Sequence, residues 1–119
     1  MFKRVILLAL VALCAVPALA DPPKVENVRV TKRGDAFTFD VTISHRDTGW
    51  ANYADAWRIV DLAGNQLGLR NLAHPHEHEQ PFTRSLSNVS IPADIDIIGV
   101  QTRDTIGGWY PDITQVRIR

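Results

Sequence analysis

Ala36-Phe37-Thr38-Phe39-Asp40-Val41-Thr42-Ile43-Ser44 alternates apolar and polar residues without a break. Side chains two apart in an extended chain share a face, so Phe37, Phe39, Val41 and Ile43 form one apolar face and the stretch reads as a half-buried β-strand. Upstream, Val28 and Val30 share a face of a strand over about 25–32, and Lys32-Arg33-Gly34-Asp35 is a tight turn, which makes a first hairpin. Downstream, Tyr53 to Val60 sets Tyr53, Asp55, Trp57 and Ile59 on one side, and Asp61-Leu62-Ala63-Gly64-Asn65 turns the chain into a strand over 66–72. Strand five runs from Pro81 to Ile91. Phe82 and Leu86 share one parity while Val89 and Ile91 take the other, so the strand needs a bulge near Ser87-Asn88. Pro92-Ala93-Asp94 turns into Ile95 to Arg103, and a last strand covers about 113–118.

No stretch after residue 20 carries a 3.6-residue apolar period over ten or more positions. Seven short strands with turn signals between them predict an all-β, seven-stranded antiparallel sandwich of immunoglobulin or fibronectin type, as one domain over 21–119. The first twenty residues read differently. Met1-Phe2-Lys3-Arg4 is a basic start, Val5 to Val16 is almost wholly apolar, and Ala18-Leu19-Ala20 supplies the small residues of a cleavage site, the pattern of a secretory signal peptide cut before Asp21. That apolar run is shorter than the roughly 20 residues a spanning helix needs, so no membrane span is expected after cleavage. Leu13 before Cys14 stands where lipidation requires a small residue. The expected location is the periplasm or the exterior.

The chain of 119 residues has 13 basic and 13 acidic side chains. With no Lys/Arg run it lacks the basic surface that neutralises phosphates, which argues against nucleic-acid binding. Cleavage would remove the single Cys and the single Met, leaving a domain with neither disulfide nor sulfur ligand. Any metal would then rest on imidazole, carboxylate or backbone groups.

If each strand crosses the sandwich once, successive connections alternate between its two ends. The connections at 33–35, 61–65 and 92–94 are short and share one end, while those at 45–53, 73–80 and 104–112 are long and share the other. Long loops on a rigid scaffold commonly carry binding residues. All four histidines fall at that end. In His74-Pro75-His76-Glu77-His78-Glu79 an extended backbone would line His74, His76 and His78 on one face, with His45 from the neighbouring loop as a further ligand, a set suited to Cu(II) or Zn(II). The plainer reading is solvated loop histidines, or rings bonded to backbone carbonyls.

Trp50, Trp109 and Tyr110, with Tyr53, form an alternative platform for an envelope protein or a glycan. Against it stands the reading that Trp50 and Trp109 cover the open end of the core. Arg84 lies between Phe82 and Leu86 on the inward parity, and a buried guanidinium requires a partner. Asp55 is the expected partner, with Asp104 second. The chain has no G-x-S-x-G elbow, no H-E-x-x-H pair and no glycine-rich phosphate loop, and a non-enzyme is expected.

Gly49-Trp50, Tyr53-Ala54-Asp55-x-Trp57, Leu67-Gly68-x-Arg70, His74-Pro75-His76 and Glu79-Gln80-Pro81-Phe82-Thr83-Arg84-Ser85-Leu86, taken together, resemble a family of small exported, periplasmic proteins of Gram-negative bacteria. The match runs over most of the chain after residue 20. The resemblance implies a compartment and a shared domain rather than a reaction. It also implies a His shortly before the last tryptophan, where this chain has Gly107-Gly108.

Overall fold

In the computed structural model, which describes residues 21–119, seven strands run antiparallel to their neighbours: β1 Lys24–Arg33, β2 Ala36–Ser44, β3 Ala54–Val60, β4 Gln66–Asn71, β5 Phe82–Ser90, β6 Ile97–Asp104 and β7 Gly108–Arg117. The proposed signal sequence lies outside the described residues. One sheet has the order β1-β2-β5 and the other β4-β3-β6-β7. Among the described residues there is no helix, hence none long and apolar enough to cross a membrane.

The alternation in β2 does what its pattern requires. Phe37, Phe39, Val41 and Ile43 are all buried, and they meet Trp57 and Ile59 of β3 and Ile98 and Val100 of β6 in one core between the sheets. Removing this apolar surface from water at about 25 cal/mol per Å² is the main force joining the layers. The parity change in strand five appears as a register shift: Phe37 faces Val89, but Phe39 faces Leu86. Asn88 within the bulge adopts a positive φ of 58°.

The sixth connection corrects the sequence reading. The sequence reading places a long loop over 104–112, yet only residues 105–107 separate β6 from β7. Gly108, at φ +69°, closes the turn. Pro111 is tolerated because β7 is a sheet edge, where a missing N–H need not break a ladder. The other two loops, 45–53 and 72–81, lie at the same end as this turn, since hydrogen bonds join all three.

Candidate functional site

The chemistry of that end begins with strand parity. His45 continues the inward series of β2, Phe37-Phe39-Val41-Ile43, and Asp104 continues the inward series Ile98-Val100-Thr102 of β6. These are central strands of opposite sheets, so the two polar side chains meet across the end of the core. His45 Nε2 lies 3.1 Å from Asp104 Oδ2, and its Nδ1 lies 2.6 Å from Asp47 Oδ1. The His45 side chain is 3% exposed and both carboxylates 0%, so water cannot replace these bonds. Both ring nitrogens therefore face carboxylate oxygens.

Each carboxylate then holds backbone. Asp47 Oδ1 accepts from Ala54 N at 3.0 Å, and Oδ2 accepts from His76 N at 2.7 Å. Asp104 Oδ1 accepts from Ile106 N and Gly107 N at 3.0 and 2.7 Å, while Oδ2 accepts from the Tyr110 hydroxyl at 2.7 Å. Burial, then the bond and charge of Asp104, push the Tyr110 hydroxyl up to about 12. Gly107 makes room for this: a Cβ there would meet the Tyr110 ring at 2.6 and 2.9 Å. His45 N donates to Gln80 Oε1 at 2.9 Å, and Gln80 Nε2 donates to His76 O at 3.0 Å. Three connections far apart in sequence are thus tied through one buried imidazole and two carboxylates. An open groove of about 420 Å³ adjoins this clasp, bordered by Asp21, Arg46, Asp47, Glu77 and Gln80.

His76 is held in a second way. Its ring stacks on Phe82 at 3.9 Å and 12°, and Arg84 Nη2 donates to its Nε2 at 2.9 Å. An accepting Nε2 leaves the proton on Nδ1, which is buried without a hydrogen-bond partner and 4.0 Å from Asp47 Oδ2. Loss of solvation, then the Arg84 charge and His74, lower its basicity below the ordinary 6.5, against the smaller pull of Asp47 and Glu79. His74 is exposed, with Nδ1 donating to Pro75 O at 2.8 Å and its ring 4.5 Å from that of His76. His78 is exposed.

The four histidines therefore share one end but not one ligand set. Among the described residues no three His, Asp or Glu side chains converge as a metal site. His45 presents both nitrogens to carboxylates, and His76 presents Nε2 to a guanidinium. A metal bound through His76 Nε2 would have to displace Arg84.

The aromatic residues also divide. Tyr110 turns inward to Asp104, and its neighbour Trp109 turns outward. There Arg58 stacks over the Trp109 ring at 4.1 Å and Arg103 lies 5.9 Å from it. Trp50 is 69% exposed and rests edge-on against Tyr53 at 5.6 Å. Its loop is rigidly tied: Thr48 N and Asn52 O close a turn at 2.9 Å, and Tyr53 and Thr105 exchange bonds of 3.1 and 3.2 Å across to the β6–β7 turn.

The expected Arg84–Asp55 ion pair does not form. A bulge between Ala54 and Ala56 breaks the parity of β3, so Asp55 reaches the outer face, where its Oδ2 accepts from Arg103 Nε at 3.0 Å. Arg84 instead bonds His76 and Thr83 O and lies 3.7 Å from Glu79. Sequence reasoning gave Gln80 no role and did not place Asp47 and Asp104 in a buried clasp with His45. An acid or imidazole on the inward parity of a central strand was the available signal.

Fold and site together define an all-β domain of two packed sheets, one end of which is cross-linked by a buried His–carboxylate clasp. No family model and no solved structure matches the chain. A protein of Halomicrobium mukohataei named "Putative lipoprotein" is 40% identical over 76 residues, which is 64% of this chain and 37% of that protein. The chain thus spans little more than a third of this relative's length.

Proposed function

We propose that the chain is an exported, non-enzymatic binding domain of the immunoglobulin or fibronectin type, acting in the periplasm or outside the cell, and that it engages an envelope protein or a glycan through the loop that carries Trp50. The observation that carries this reading is the pairing of an exposed indole with a stiff support. Trp50 stands 69% exposed on a loop tied to the buried clasp, and a preorganised aromatic side chain binds at low entropic cost. The strand order β1-β2-β5 against β4-β3-β6-β7 supports the sandwich type. The lipoprotein name of the archaeal relative supports an exported or envelope-associated location. Membership in the Gram-negative family that the motifs resemble is part of the same reading.

The test is capture from an envelope extract and from a glycan array by the domain and by Trp50→Ala. Loss of capture with unchanged thermal unfolding is the expected result. Capture that survives Trp50→Ala removes the reading. Trp109, clamped between two arginines, acts here as support, so Trp109→Ala should change stability more than binding.

A second reading keeps Cu(II) or Zn(II) on His74 with His76 or His78. It is favoured by the 4.5 Å approach of the first two rings and by a His74 Nε2 that the fold leaves unbonded among the described residues. Metal uptake by untagged protein that falls in His74→Ala is its expected signature; no uptake ends it.

A further inference from the structure

The two sheets meet along one side where strands β4 and β5 touch. A Cβ on Gly68 would lie 2.8 Å from Leu86 Cδ2 and 3.2 Å from Val89 Cγ2, so these strands are in contact. Counting from Gly68 and Leu86 toward the 72–81 loop, the next inward positions are Arg70 and Arg84, and the next after those are Leu72 and Phe82, both buried. Arg70 is the cross-strand partner of Trp57, and Arg84 of Val41. Cross-strand partners leave the same face of a sheet, and Trp57 and Val41 are fully buried. Two arginine stems therefore enter the same level of the seam, between apolar levels above and below.

That level is rich in donors and poor in acceptors. Arg70 makes no ion pair or side-chain hydrogen bond among the described residues, and its Nε is buried without a partner. The Trp57 indole N–H is buried without an acceptor as well. Arg84 uses Nη1 on Thr83 O and Nη2 on His76 Nε2, and its one nearby carboxylate, Glu79 at 3.7 Å, is 66% exposed. With His76 neutral, two guanidinium charges are set against a single acid at the rim. One positive charge is left over.

Buried donors without acceptors destabilise a fold, and a planar two-oxygen anion is the group that two guanidinium forks match. We propose that the β4–β5 seam at Arg70 and Arg84 is a binding site for a carboxylate monoanion, with the Trp57 indole N–H at its inner end. This site is separate from Trp50 and stands whether or not that indole contacts a partner.

The experiment is a titration of the isotope-labelled protein with sodium acetate, followed at the Arg70 Nε–H and Trp57 indole N–H resonances. Sodium chloride at matched ionic strength and inorganic phosphate are run in parallel. Saturable shifts of both resonances with acetate alone are expected, and Arg70→Gln should weaken acetate binding by about tenfold or more. Equal shifts with chloride, tighter binding of phosphate than of acetate, or an unchanged Trp57 shift in a folded Arg70→Gln variant would overturn the assignment. The wild-type titration decides the question even if that variant does not fold.

Discussion

The two ends of the molecule hold their turns by opposite means. At the end with the short connections, Asp61 accepts from Ala63 N, Asn65 N and Asn65 Nδ2, all within four residues of itself. These bonds, that of the Asn65 side chain foremost, hold the Asp61 carboxyl below its ordinary pKa of 3.8. At the other end His45 bonds Asp104, 59 residues away, and Asp47 bonds His76 N, 29 residues away, in a space closed to solvent. The first end is a turn that carries its own instructions. The second exists only once both sheets have packed, so its geometry and the core should be lost together.

The largest effect should come from removing the imidazole that joins the two carboxylates. His45→Ala leaves Asp47 and Asp104 buried and facing a void, and breaking such a pair costs about 3–5 kcal/mol. Urea unfolding measures this, and a loss below 1 kcal/mol would mean the clasp is not the tie described here. Tyr110→Phe comes next, at about 1.5–3 kcal/mol for a bond to a charged acceptor. Because the folded Tyr110 hydroxyl titrates near 12 rather than 10.0, the unfolded chain releases its proton first. The stability linked to this group is present below pH 10 and is lost between about 10 and 12. Tyr110→Phe should remove that alkaline component from a pH series of unfolding midpoints.

His76 gives a smaller effect of the opposite sign. Its folded form resists protonation, so the unfolded chain binds the proton first as pH falls through 6.5. Stability then declines below that point until the folded form titrates as well. His76→Gln should flatten this acid limb, and an unchanged limb would assign it to other groups. Asp61→Ala should have the least effect: faster exchange of the Ala63 and Asn65 amides, with the unfolding midpoint and the His45 ring signals unmoved. A coupled change at the far end would break the contrast between local and shared turns.

The same contrast explains what could be read from the residues alone. The alternation in β2, the bulge at Ser87-Asn88 and the meeting of the second, fourth and sixth connections at one end all follow from parity, which is local. The start of β7 was missed because Pro111 and Gly107-Gly108 look like loop until the edge position of that strand is known. The Arg84 partner was missed because a single inserted residue at Asp55 turns that acid to the outer face. The clasp was only half visible: His45 was marked for its imidazole, but its place at the end of an inward series points to a buried carboxylate rather than to a metal.

Pro111 has a further consequence. An outer strand of ten residues is an invitation for a second copy to zip onto it and start a fibre, and among the described residues β7 is such a strand. The ring at position 111 removes a donor from its margin near one end, so an arriving strand finds a gap in the ladder there. An irregular margin of this kind is a general device against edge-to-edge pairing of copies.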